Sequence, residues 1–166
     1  RARQIGDFYS SHEFDLDAIK RLPGKFLEIG RTCIRKDYRN GATIAVLWGK
    51  LAQHLLQHGY NYLFGCASIS LADGGLQYAA IMNAVRKKHL SAPELRVTPK
   101  LPIASVSSEG ISTLFPPLLK AYTRMGATIC GEACWDPDFN VADVFVLLDT
   151  AKLDARYAKH FLRACE

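Results

Sequence analysis

Between Phe26 and Ser68 the chain carries one arrangement that few folds accommodate: an apolar strand, a polar loop, a long one-sided helix and a second apolar strand. FLEIGRTCI, Phe26 to Ile34, has strand periodicity. It places Phe26, Glu28, Gly30 and Thr32 on one face and Leu27, Ile29, Arg31 and Cys33 on the other. The loop RKDYRNG runs from Arg35 to Gly41. Ala42 to His58 is then predicted helical, because Ile44, Leu47, Trp48, Leu51 and Leu55 fall on one stripe at helical spacing. Gly59 is the expected stop, and YNYLFGCAS, Tyr60 to Ser68, reads as a buried strand.

The remaining segments extend this alternation. Residues up to about Leu22 read as loop, including the acidic-aromatic stretch HEFDLD from His12 to Asp17, and Pro23-Gly24 makes a turn. After Gly74-Gly75 a second helix carries Tyr78, Ile81, Met82 and Val85 on one side. It ends on Arg86, Lys87, Lys88 and His89, where cations complement the helix dipole. Leu90 to Ser112 reads as irregular, with Pro93, Pro99 and Pro102. Pro116-Pro117 opens a helix to Met125 that Gly126 closes. Strands are expected at Ala127–Ala133 and Asp143–Leu148, joined through WDPDFN. Asp154 is expected to cap a last helix with Tyr157, Phe161 and Leu162 inward. The order is that of an α/β protein ending in an antiparallel pair.

Composition narrows the partners. With 166 residues, 49% hydrophobic and 22% charged, the chain can bury a core. No apolar run approaches the roughly 20 residues of a membrane span, and the polar start does not read as a signal peptide. A net charge of +5 suits an acidic partner. Nucleic acid is disfavoured because no basic-aromatic alternation or known module is present. The five cysteines, Cys33, Cys66, Cys130, Cys134 and Cys165, read as thiols in a reducing compartment. Cys130 and Cys134 have no second pair to complete a four-ligand zinc site, so no metal is expected.

Arg39-Asn40-Gly41-Ala42-Thr43 leads straight into the long helix. Free backbone N–H groups and the positive end of the helix dipole suit a phosphate there, and Gly41 permits close approach. Strand, basic loop, helix and strand together resemble the acyl-donor motif of the GNAT superfamily. That resemblance implies that the loop holds the phosphate of phosphopantetheine or the pyrophosphate of coenzyme A. Arg39 stands only two residues before Gly41, closer than the common GNAT loop allows, which favours phosphopantetheine on acyl carrier protein over coenzyme A. Glu28-Ile29-Gly30-Arg31 resembles the Glu-x-Ser-Arg signature of acyl-homoserine-lactone synthases, with glycine for serine. LEIGRTCIRKDYRNGATIAVLWGKLA, YLFGCAS and ACWDPDFNVADVFVLLD together resemble the ornithine N-acyltransferases, sometimes labelled hemolysin-like, from about Phe8 to Phe161.

These resemblances imply a single GNAT-like domain over residues 1–166, with a central mixed sheet flanked by helices and lacking its N-terminal part. The implied reaction moves a 3-hydroxyacyl group from acyl carrier protein to the α-amine of ornithine. No permanently bound cofactor is implied. The protein would be cytoplasmic, touching the membrane peripherally through its lipid product. Glu28 is the expected general base, with Arg31 structural or carrier-related. Its alternative is a structural pairing with a cation. Backbone groups at Gly65, Cys66 and Ala67 are the expected oxyanion site; the alternative is tight packing. An acyl-cysteine at Cys66 is a lesser reading, since no histidine is near in sequence. Asp136, Asp138 and Asn140 are expected to hold the cationic amino acid, or else to shape a turn; the run is too short for a calcium loop. Arg35, Lys36, Arg39, Lys50 and Arg86 to Lys88 would meet the carrier's acidic helix. The competing functions are acyl-homoserine-lactone or other N-acyl amino acid synthesis, and a non-catalytic or lytic protein. The last lacks an amphipathic lytic segment.

Overall fold

The computed structural model describes residues 6–30 and 32–152. Arg31, Cys165 and the helix expected after Asp154 lie outside the described residues. In chain order the elements are β1 (Phe14–Asp15), α1 (Asp17–Lys20), β2 (Phe26–Glu28), α2 (Gly41–His58), β3 (Tyr62–Ser70) and α3 (Leu76–Lys88). They are followed by β4 (Thr98–Pro99), α4 (Pro117–Arg124), β5 (Thr128–Ile129), β6 (Cys134–Asp136) and β7 (Val141–Asp149).

The main sheet is mixed. β2 lies parallel to β3, β3 antiparallel to β7, and both β5 and β6 pair antiparallel with the far edge of β7. Since β7 is central, it is buried on both faces, and VADVFVLLD accordingly reads as a nearly unbroken apolar run. Asp143 is the exception within that run, 5% exposed.

Side-chain alternation divides the core in two. Leu63, Ala67 and Ile69 of β3 and Ala142, Val144, Val146 and Leu148 of β7 point to one face. Leu55 and partly buried Trp48 and Leu51 of α2, Ile81 and Val85 of α3, and Leu119 and Tyr122 of α4 cover it. Phe64, Phe145 and Leu147 point to the other face, where Phe14, Leu16, Ile19 and Val97 pack on them. So the three longer helices share one face, and the N-terminal segment closes the opposite one.

Several sequence expectations change in detail. The opening segment is not loop: Tyr9–His12 forms a 3-10 turn, followed by β1 and α1, and β1 pairs with β4. Phe14, Leu16 and Ile19 are at most 2% exposed; their burial, rather than local propensity, organises this stretch. The strand expected at Phe26–Ile34 stops at Glu28. That expected at Ala127–Ala133 is only two residues of β5, after which the chain turns at Gly131 and re-enters the sheet as β6. Trp135 and Asp136 of WDPDFN therefore belong to a hairpin with β7. On α2, Leu47 is 42% exposed, off the stripe that Trp48, Leu51 and Leu55 turn to the core. Gly59 ends α2 in the left-handed region at φ 63°, as its position predicts.

Candidate active site

The site grows from the point where β2 leaves the sheet. Ile29 N–H still donates to the Phe64 carbonyl at 2.8 Å. β3 runs on to Ser70 with no strand beside that edge among the described residues. Gly65 makes this departure possible, because a Cβ there would run into the Ile29 carbonyl oxygen. On the other side of β3, Leu71 N–H donates to Asn140 of the β7 hairpin. Backbone groups alternate in direction along a strand. Hence Cys66 and Ser68 turn their N–H groups to the open edge, while Gly65 and Ala67 turn theirs to β7. Of the three residues expected at the oxyanion, Cys66 is the one whose N–H faces the gap.

An apolar cleft lies on the helix face of this gap. It is lined by Ile29, Trp48, Gly65, Tyr122, Met125 and Val146, among others. Its free volume is about 30 Å³, room for about one or two waters. Trp48 and Tyr122 meet edge to face, ring centroids 5.4 Å apart.

On the opposite face of the same gap the groups are acidic. Glu28 accepts from Tyr9 N–H on Oε2 at 2.8 Å, and from Ser10 N–H and Ser10 Oγ on Oε1, each at 2.7 Å. Both of its oxygens thus anchor the Tyr9–His12 turn. The Cys66 thiol lies 3.5 Å from Ser10 Oγ and also meets the Glu13 carboxylate. Register brings Ser68 opposite Asp143, and Ser68 Oγ donates to Asp143 Oδ1 at 2.6 Å. Burial pushes the Asp143 carboxyl above its usual range; Ser68 opposes that rise and the charge of Asp136 adds to it. Burial also raises Glu13. The Cys66 hydrogen bond pulls it back, and Asp143, Asp136 and Glu28 push it further up. Three carboxylates therefore act on Glu13, a setting that a cation would relieve. The Cys66 thiol is itself driven far up, first by burial, so it is a poor thiolate nucleophile.

The remaining expected residues fall as follows. Asp136 reaches the acidic group, but its Oδ1 accepts from Asp138 N–H at 2.9 Å and Phe139 N–H at 3.2 Å. Asp138 and Asn140 are exposed, and Asn140 sits at φ 51° as a turn residue. WDPDFN is thus mainly a turn that presents one carboxylate. At α2, Asn40 is the N-cap: its Oδ1 accepts from Thr43 N–H at 2.9 Å and from Thr43 Oγ1 at 3.1 Å. Gly41 and Ala42 occupy the first turn. Arg39 Nε donates to the Ile34 carbonyl at 2.8 Å, and Arg35 pairs with Asp37 at 3.1 Å. The sequence reading gives Ser10, Glu13 and Ser68 no role in the site and names Asp143 only as the start of an expected strand. A serine and an aspartate at facing positions of two apolar strands were the available signal.

The first 49 residues, through the loop and into α2, match the family described as Acetyltransferase (GNAT) domain. The chain belongs to the GNAT superfamily, and the mixed sheet with its departing β2 is that fold. A protein named L-ornithine N(alpha)-acyltransferase from Rhizobium meliloti (strain 1021) is 32% identical over 170 residues, 96% of this chain and 57% of that protein. One of the same name from Rhodobacter capsulatus is 32% identical over 176 residues, 100% of this chain and 66% of that protein. Another, from Brucella abortus (strain 2308), is 28% identical over 174 residues, 97% of this chain and 61% of its own length. Within the superfamily the chain belongs to the family of these ornithine N-acyltransferases, and it spans less than two thirds of the length of each. No solved structure matches the chain.

Proposed function

We propose that the protein transfers a 3-hydroxyacyl group from the phosphopantetheine of acyl carrier protein to the α-amine of ornithine, giving a lyso-ornithine lipid. The observation that carries this reading is the two-sided gap at Gly65–Cys66. A small apolar cleft lies on one face of the sheet, where it would border the thioester end of an acyl group rather than hold the chain. On the other, Glu13, Glu28, Asp136 and Asp143 suit a substrate with two ammonium groups. The thioester carbonyl would lie at the open edge, where the Cys66 N–H can stabilise the oxyanion. The α2 N-terminus, with Arg39 and Lys36 nearby, would take the phosphate. No helix of the described residues is long and apolar enough to cross a membrane; a cytoplasmic enzyme delivering its product to the membrane surface fits this.

The test is to supply the full-length protein with 3-hydroxyacyl carrier protein and ornithine and to follow the product by mass spectrometry. N-acyl ornithine supports the reading. A lactone formed from S-adenosylmethionine would move the protein to the acyl-homoserine-lactone synthases. Absence of any acylated product would sink the enzymatic assignment.

A further inference from the structure

Resting on that reading, we propose that Glu13 takes the proton from the attacking α-amine and that Glu28 acts as a positioning residue for the turn that carries it. The two carboxylates differ in what occupies their oxygens. Glu28 accepts three hydrogen bonds at 2.7–2.8 Å from Tyr9 and Ser10, with both oxygens engaged. A base bound this way must break part of its own scaffold to receive a proton. Glu13 is different. Its Oε2 is sealed from solvent and has no hydrogen-bond partner among the described residues. A buried, unsatisfied carboxylate oxygen is costly and needs an explanation, and a vacant acceptor beside the reaction gap supplies one.

Its backbone is fixed from two sides. Glu13 N–H donates to the Ser10 carbonyl at 3.2 Å, and its own carbonyl accepts from Lys100 N–H at 2.8 Å. The carboxylate meets the Cys66 side chain, one residue beyond the glycine that opens the gap. The groups facing Glu13 are Cys66, Asp143, Asp136 and Glu28, with Cys134 beside them. Burial and these charges raise its affinity for a proton, which brings a carboxylate closer to the range useful for general-base work.

The step balances without any further reactant. The neutral amine attacks the thioester carbonyl, the C–N bond forms, and the amine proton passes to the Glu13 carboxylate. As the C–S bond breaks, that proton goes on to the departing sulfur, leaving amide, thiol and an ionised Glu13.

Full-length Glu13→Gln and Glu28→Gln are compared with the parent for kcat, KM for ornithine and the pH dependence of kcat. Glu13→Gln is expected to lower kcat about a hundredfold or more, with a much smaller change in KM, and to abolish the acid limb of the profile. Glu28→Gln is expected to lower the melting temperature while keeping that limb. Glu13→Asp, which retains a carboxylate, recovers the acid limb at reduced kcat and tests the idea even if Glu13→Gln folds poorly. An acid limb that survives in Glu13→Gln, or a kcat within a few-fold of the parent, overturns the assignment. A parent that forms no acyl-ornithine brings down the proposed function together with it, whereas an active parent matched by Glu13→Gln rejects Glu13 alone.

Discussion

Asp143 shows how a single residue can set the site against the fold. It is the one charged side chain in the buried stretch from Ala142 to Leu148 of the central strand, and it accepts a hydrogen bond from neutral Ser68. Its carboxyl is held above the ordinary value of 3.8, first by burial. Between the unfolded value and the raised folded one, the native state holds more proton than the unfolded chain. Stability therefore falls as pH rises through that window and stays lowered above it. Asp143→Asn can still accept from Ser68 and should melt higher than the parent at pH 7. That advantage should vanish below about pH 4, where both carboxyls are protonated. Thermal melts from pH 3 to pH 8 check the sign; a parent more stable at pH 7 would mean that a charge partner stabilises the carboxylate. The same variant should raise KM for ornithine more than for glycine, which has no side-chain cation. The charge is thus retained at a cost that folding alone does not explain.

At the scale of elements, the start of α2 separates two roles that the sequence joined. Asn40 was legible as part of a phosphate loop, yet its Oδ1 already occupies Thr43 N–H. Asn40→Asp keeps a good cap and adds a favourable charge at the positive end of the dipole. Stability should be unchanged or higher. A phosphate at the same turn would meet a like charge, so KM for the acyl carrier should rise. Melting temperature and carrier KM, measured together, decide the matter: unchanged KM would leave Asn40 a cap and move the phosphate elsewhere. Capping, Pro-Gly punctuation and the α2 stripe could be read from sequence because they depend on neighbours within one turn. The opening segment could not, since Phe14, Leu16 and Ile19 are ordered by packing on Phe145 and Phe64, far away in sequence. Two-residue β5 is likewise fixed by the edge of β7 rather than by its own residues. The acidic site was half legible for the same reason. Glu28 lies in a recognisable motif, but Ser68 meets Asp143 only through the β3–β7 register.

The described residues divide by chemistry across the sheet: three longer helices and the apolar cleft on one face, the N-terminal turn and the carboxylates on the other. A substrate joining a long acyl chain to a cationic amino acid would need both faces at once, and Gly65 marks where they meet. The basic residues are distributed with equal economy. Arg86 is committed to Glu132, with Nη2 2.6 Å and Nε 3.1 Å from its carboxylate, and Arg39 holds the Ile34 carbonyl through Nε. Lys36 is exposed on the 3-10 turn before α2, beside the proposed phosphate site, and is the cleaner probe of carrier docking. Reversing it in Lys36→Glu should raise KM for acyl carrier protein at low salt while leaving the melting temperature and the ornithine KM near the parent values. Because exposed charges are screened over about 10 Å at 0.1 M salt, the difference from the parent should shrink as salt is added. Arg86→Glu provides the contrast: it breaks an ion pair and sets two glutamates together, so its effect should fall on stability. Steady-state kinetics of the full-length enzyme across a salt series read both variants. Equal carrier KM for Lys36→Glu and the parent at every salt concentration would mean that the carrier docks away from the α2 N-terminus, and the phosphate assignment there would have to go with it.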